Sequence, residues 1–381
     1  NEVFIRTTGA PLDGTVLSFV ALEGYTLVEG KETVVFTVTV DNRITGDFTF
    51  ELIGQLDHPD VGESGLQDLL RLGFTFTVRD LDGDTDTATF NIDVKDDTVS
   101  FGNAENGSVD EDYLGNGNVN DAPVGEDGRD VSEKILAEPA PFDGSYDTGS
   151  LGINWGADKG NAGGNSGLTG DLNDRGVAFT AATLEALNNR QPPLTSDGVA
   201  LKFAMSLDGT TIVAYKETIV VDDGGNQEQR VSSAKVSENL LGSEVEFSGE
   251  AVFVVAVSDA TDTGSYEFQL IGNLDHPDGS IEDDITIKFD FTAQDSDGDS
   301  ASSSFTVTVN DDSPVIGTPV STQLDEEDLP NGAGNPGDSY EGGSDLADGE
   351  DGPLGVDANG GRAVTGSLAV SWGADDNNTG A

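Results

Sequence analysis

The chain has 381 residues, 72 of them Asp or Glu and 17 Lys or Arg, for a formal net charge of -55. At roughly 100 to 200 residues per domain, this length predicts two or three domains. The charge leaves no basic patch to follow phosphates or dock on anionic lipid, which excludes nucleic acid as a partner and makes metal cations the natural counter-charge.

Acidic, Gly-rich chains are often disordered, but here the apolar residues gather in short alternating runs bounded by turn residues, the pattern of strands. VVFTVTV (34–40) and FTFELI (48–53) read as a hairpin with VDNRITGD as its turn. GFTFTVR (73–79) and TATFNIDV (87–94) form another, closed by LDGDTD. One short helix is predicted in FTAATLEALNN (179–189), where Ala and Leu favour a turn or two. AVFVVAV (251–257) and SYEFQLI (265–271) repeat the first hairpin. With no cysteine, disulfides and thiolate ligation are unavailable. No apolar run approaches the roughly 18 residues of a membrane span, so no direct membrane insertion is expected. The opening NEVFIRTTGA lacks the regions of a cleavable signal, and the chain reads as an internal stretch of something longer.

The dominant feature is an internal repeat. LIGQLDHPD (52–60) returns as LIGNLDHPD (270–278), carrying both histidines, His58 and His276. DLDGDTDTATFNIDVKDD (80–97) returns as DSDGDSASSSFTVTVNDD (295–312), an offset of 215. SVDEDYLGNGN (108–118) aligns with QLDEEDLPNGA (323–333), and TGSLGINWGAD (148–158) with TGSLAVSWGAD (365–375). The order within a unit is DED, SLxxxWGAD, LDHPD, DxDGD and a closing DD. Residues 1–97 are then the C-terminal part of a first unit, 98–312 a complete unit, and 313–381 the opening of a third. The class predicted is all-β: tandem immunoglobulin-like β-sandwiches with calcium-binding loops.

Asp80, Asp82, Asp84 and Asp86 place carboxylates on alternate residues around Gly83, and Asp295, Asp297 and Asp299 do the same around Gly298. Hard oxygen ligands at this spacing can wrap calcium, although no EF-hand Glu or flanking helices are present. The plainer alternative is an Asp/Gly turn capping strands in solvent. Two carboxylates about 4 Å apart repel by roughly 4 kcal/mol at an effective dielectric near 20, so such clusters favour a cation.

Chain direction puts LDHPD and the closing DD at one end of a unit and DxDGD at the other. In a head-to-tail array, Asp57, Asp60, Asp96 and Asp97 of one unit would approach Asp295, Asp297 and Asp299 of the next. That predicts an interdomain calcium junction; each cluster holding its own ion, or a solvated DD linker, is the alternative. The second copies Asp275, Asp278, Asp311 and Asp312, with Asp110 and Asp325 of the DED segments, complete the candidate ligand set. His58 and His276 read as loop-ordering residues bonded to Asp, since one histidine per unit makes a poor zinc site. Trp155 and Trp372 follow alternating strands and read as core or rim residues ahead of sugar-stacking ones. The acids concentrate in repeated turns, and no GxSxG, HExxH, P-loop or Rossmann fingerprint occurs, so no enzyme is expected.

In this order, LDHPD, DxDGDxxxxxFxVxVxDD, DED and SLxxxWGAD resemble the tandem repeat domains of giant type I-secreted RTX adhesins of Gram-negative bacteria, over essentially the whole chain. The resemblance implies calcium-dependent β-sandwiches outside the cell, chained as an extender or scaffold that projects ligand-binding modules for attachment and biofilm formation. It assigns calcium roles to Asp80, Asp82, Asp84, Asp295, Asp297 and Asp299, with Asp96, Asp97, Asp311 and Asp312 at junctions. The partners implied are neighbouring units of the same chain. The alternative is a calcium-dependent module binding glycan, peptide or other host and biofilm surface ligands. Two departures stand out: the GGxGxD nonapeptide of RTX tails is absent, and a spacing near 215 leaves room for an inserted function in 98–240.

Overall fold

The computed structural model describes residues 2–8, 19–28, 30–42, 45–58, 69–114, 145–161, 167–168, 174–217, 219–221, 227–229, 232–234, 243–277, 283–312, 314–322 and 365–374. The described chain is predominantly β-strand. Strands β1 (Phe4–Thr7), β2 (Phe19–Val28), β3 (Lys31–Asn42) and β4 (Asp47–Leu52) form an antiparallel sheet in chain order. The hairpin of β5 (Leu69–Arg79) and β6 (Thr85–Lys95) accompanies it. Their shared core holds Val35, Phe36, Val38, Leu56, Phe74 and Val94.

The 98–312 segment is built on a larger plan. It begins with β7 (Ser100–Phe101), β8 (Gly107–Asp110), a 3-10 turn (Glu111–Tyr113), β9 (Tyr146–Ser150), β10 (Ile153–Asn154) and β11 (Gly176–Phe179). Helix α1 (Ala181–Asn188) starts at Thr180, whose hydroxyl accepts from the Thr183 N–H while the Thr183 side chain reaches back to the Thr180 N–H. It is the only α-helix among the described residues, and none there is long and apolar enough to cross a membrane. The chain continues through β12 (Thr195–Ser196), β13 (Val199–Ala200), β14 (Lys202–Met205) and β15 (Thr211–Glu217). Two short hairpins follow, β16 (Ile219–Val221) with β17 (Gln227–Gln229), and β18 (Ser232–Ala234) with β19 (Val245–Phe247). Then come β20 (Gly249–Ser258), β21 (Ser265–Leu270), β22 (Asp284–Gln294) and β23 (Ser300–Asn310).

These strands make a five-stranded sheet, β14-β15-β20-β21-β9, and a four-stranded sheet, β11-β22-β23-β8. One core joins them, with Phe253 and Phe268 from the first meeting Phe289 from the second, and Tyr266 from the first stacking on Phe305. The run AVFVVAV lacks polar alternation because β20 is buried on both faces. Val254 and Ala256 turn away from the main core to pack with Val245 and Phe247 of β19.

Two connections position the site. β8 pairs in parallel with β23, Gly107 opposite Val307 through Asp110 opposite Asn310, which brings the DED acids to the end of the unit where the DD closes. β7 pairs with β10, Phe101 opposite Ile153. The last two strands, β24 (Val315–Ile316) and β25 (Val370–Ser371), repeat that pairing at the corresponding positions, Ile316 opposite Val370.

Candidate metal centre

The closing DD of the first segment meets the WGAD tetrapeptide of the second. The Ala157 N–H donates to Asp97 Oδ2 at 2.6 Å. This approach requires glycine at 156: φ is +67°, and a Cβ there would lie 1.6 Å from Asp97 Oδ2. The same contact recurs one repeat later, where the Ala374 N–H donates to Asp312 Oδ2 and Gly373 has φ +74°.

The second copy of the DxDGD turn closes over this contact. The Ser296 N–H donates to the Asp158 carbonyl at 2.9 Å, tying the turn to WGAD. The Asp295 N–H donates to the Asp299 carbonyl at 2.9 Å, and the Gly298 N–H to Asp295 Oδ1 at 3.1 Å. As a result, ligand atoms of His58, Asp96 and Asp297 lie within 4.8 Å of one another, as do those of Asp96, Asp97 and Asp158. Asp96 belongs to both groups.

The electrostatics of this cluster are unfavourable for bare carboxylates. Asp96, Asp158, Asp295 and Asp297 are all buried. Asp96 Oδ1, Asp158 Oδ1, Asp295 Oδ2 and both Asp297 oxygens meet no hydrogen-bond donor. Burial pushes the Asp96 carboxyl up to about 6, with Asp297 adding to the push and His58 opposing it. Burial, then the Asp297 charge, raises Asp158 to about 8. Burial and the contact with Asp297 raise Asp295 to about 9. Buried acid oxygens without donors demand either protons or a cation. The donor set, mostly carboxylate oxygen, suits a hard divalent ion, and His58 adds one nitrogen, Nδ1 lying 3.2 Å from Asp96 Oδ1.

A related cluster lies at the far end of the 98–312 segment, where Glu111, His276 and Asp311 also place ligand atoms within 4.8 Å. His276 Nε2 is 3.5 Å from Glu111 Oε1 and its Nδ1 is 3.7 Å from Asp283 Oδ1. Burial works against the imidazolium, but Glu111, Asp311 and Asp283 outweigh it and raise the His276 pKa. Glu111 is fully buried and accepts the Leu274 N–H at 2.7 Å.

The other candidates are placed differently. Asp80, Asp82 and Asp84 form an exposed group, in which the Gly83 and Asp84 N–H groups donate to Asp80 Oδ1 at 3.0 and 2.8 Å. The Asp82 side chain and these backbone donors hold the Asp80 carboxyl below its ordinary value. Asp86 accepts the N–H of its neighbour Thr87. Asp57 lines a cavity of about 310 Å³ with Leu56 and Phe74 and is not among the grouped ligands. Asp275 accepts the Gly198 N–H at 2.8 Å and so anchors the β12–β13 turn. Asp110 caps the 3-10 turn by accepting the Asp112 N–H. Asp60, Asp278 and Asp325 lie outside the described residues.

Sequence reasoning grouped Asp96, Asp97 and Asp297 but passed over Asp158, Glu111 and Asp283. The signal for Asp158 was present, since it closes the repeated WGAD, and Glu111 is the middle acid of DED. Trp155 is a buried core residue with the Arg175 guanidinium 4.9 Å from its ring centroid, whereas Trp372 is exposed.

Residues 13–93 match a protein family described as a domain of unknown function (DUF5801). No characterised protein and no solved structure is significantly similar to the chain.

Proposed function

We propose that this chain is a calcium-stabilised, non-catalytic repeat region of a large secreted bacterial adhesin. Its immunoglobulin-like sandwiches, bounded near 97 and 312, would be fixed head to tail by ions at their junctions, as an extracellular extender that projects binding modules for attachment and biofilm formation. The observation that carries this reading is the convergence of Asp96, Asp97, Asp158 and Asp297 across the repeat boundary, with buried oxygens that no donor satisfies. Calcium there would neutralise the cluster and couple two units, and low cytosolic calcium would delay ordering until export. Asp96, Asp97, Asp158, Asp295 and Asp297 would supply the oxygens. The deciding experiment is thermal melting with calcium, magnesium or chelator. A calcium-specific rise in the midpoint supports the reading, and an unchanged midpoint overturns it.

A calcium-dependent glycan- or peptide-binding module is the second reading. It draws support from a cleft of about 650 Å³ lined by Trp155, Lys159, Arg175, Asp262, Asn103 and Asn154. Residues 115–144, the main part of a stretch rich in Gly and Asn from 115 to 170, lie outside the described residues. Glycan-array binding would favour this reading over a purely structural role.

A further inference from the structure

His276 does not make the bond to aspartate that its sequence suggests. Its side chain is 2% exposed, and among the described residues neither ring nitrogen has a hydrogen-bond partner. Nε2 stands 3.5 Å from Glu111 Oε1 and Nδ1 stands 3.7 Å from Asp283 Oδ1. Both separations exceed the ~2.7–3.2 Å of an N–H···O bond. A buried imidazole left unpaired in this way costs free energy, so the spacing calls for something between the groups. Two ligands of one tetrahedral ion, each about 2.1 Å from it, stand roughly 3.4 Å apart, which is close to the gap between Nε2 and Glu111.

The fold holds these groups in place from several directions. The parallel ladder of β8 and β23 sets Asp110 opposite Asn310 and so delivers Glu111 beside Asp311. The loop that carries His276 is fixed just before it, where the Leu274 N–H donates to Glu111 Oε1 at 2.7 Å and the Asp275 N–H to the Thr195 carbonyl at 2.8 Å. The Asp311 N–H donates to the Asp283 carbonyl at 3.2 Å, which ties the approach to β22 to the end of β23. Ligand atoms of Glu111, His276 and Asp311 therefore come within 4.8 Å of one another. All these residues lie inside the 98–312 segment, and none is among the five acids that the calcium reading assigns to the junction ion.

We infer that Glu111, His276 and Asp311 form a site for a zinc-like transition-metal dication, with His276 Nε2 as the nitrogen ligand. Calcium takes six to eight oxygens, and two carboxylates with an imidazole fall well short of that set. Imidazole and carboxylate together suit a first-row transition ion, and three protein ligands leave one tetrahedral position open. One histidine per unit rules out a closed site of nitrogens and thiolates, but the fold completes this one with acids. Asp283 faces Nδ1 and is a positioning residue: it holds the proton on that nitrogen and leaves Nε2 free to ligate. His58 has different company. Asp96, Asp97, Asp158 and Asp297 gather around its junction, an oxygen-rich set that keeps that position for calcium.

The chain has only two histidines, so both imidazoles can be followed by NMR in the full chain while zinc is titrated into protein kept in excess calcium. Either His58→Gln or His276→Gln is enough to assign the two sets of ring signals. Equimolar zinc should shift the His276 signals and leave those of His58 in place. Asp283→Asn should weaken zinc binding by about 10- to 100-fold. The inference is overturned if zinc moves neither ring, moves only His58, or moves both alike. It is equally overturned if excess calcium keeps zinc out, or if Asp283→Asn binds zinc as tightly as wild type. Zinc binding with no calcium effect on melting would sink the calcium reading alone, and a calcium effect with His276 unmoved by zinc would sink this inference alone.

Discussion

Asp297 concentrates the tension of the candidate centre, since both of its oxygens are buried without a donor and it raises the neighbouring acids. Asp297→Asn should therefore act with opposite sign in two conditions: a higher melting midpoint in chelator, where repulsion is relieved, and a smaller calcium-induced rise, where a ligand is lost. Paired melting curves check both. The acids also fix a pH dependence for the metal-free chain. Asp96, Asp158 and Asp295 have folded pKa values raised to about 6, 8 and 9. Their contribution to stability is fully present below the unfolded value of about 4 and is lost as pH rises through the folded values. Chelated protein should melt lower at pH 8 than at pH 5, and calcium should flatten that slope. Gly156 is the backbone counterpart. Gly156→Ala should cost more than the ~1–2 kcal/mol of a left-handed alanine, the figure expected at Gly198, where φ is +73° and a Cβ would meet nothing within 4 Å. Urea unfolding of the two variants separates the clash from the strain.

At the scale of elements, the four aromatic rings around Phe289, those of Phe179, Phe253, Phe268 and Phe305, tie both large sheets together. Phe289→Ala should destabilise by about 3–5 kcal/mol, read by urea unfolding of the full chain. The strands most legible in the sequence were those long enough to show their period. The hairpins expected at 34–53, 73–94 and 251–271 are β3–β4, β5–β6 and β20–β21, and the expected helix is α1. The strands β8, β11 and β14 escaped because at four residues each they show too little pattern. The parallel partnership of β8 with β23 escaped because it joins residues about 200 apart, and nothing local encodes it. Within the site, repetition exposed the aspartates of turns but not the roles of Asp158 and Glu111. Those two acids reach their clusters only through the β7–β10 and β8–β23 pairings.

For the whole molecule, a net charge of -55 means that folding gathers many like charges into a smaller volume. General screening by monovalent salt should recover only part of that cost, because the buried oxygens of Asp158, Asp295 and Asp297 are beyond the reach of the ionic atmosphere. Calcium at about a hundred times its dissociation constant would add ~2.7 kcal/mol per site. Melting at matched ionic strength in sodium and in calcium should therefore diverge, and scattering profiles should show the longest dimension settling at a fixed value as calcium is added.

The β8–β23 ladder has a mechanical consequence. The chain enters 98–312 just before β8 and leaves just after β23, and these two strands run in the same direction with four residue pairs in register. The Asn106 side chain adds a further bond by accepting the Thr306 N–H at 3.0 Å. Tension applied at the two ends would drag the strands past each other lengthwise, so that all the rungs must yield together and none can be peeled away in turn. A tether under flow is stretched in just this manner, and single-molecule pulling should find the yield force of this segment set by those few rungs near its entrance and exit.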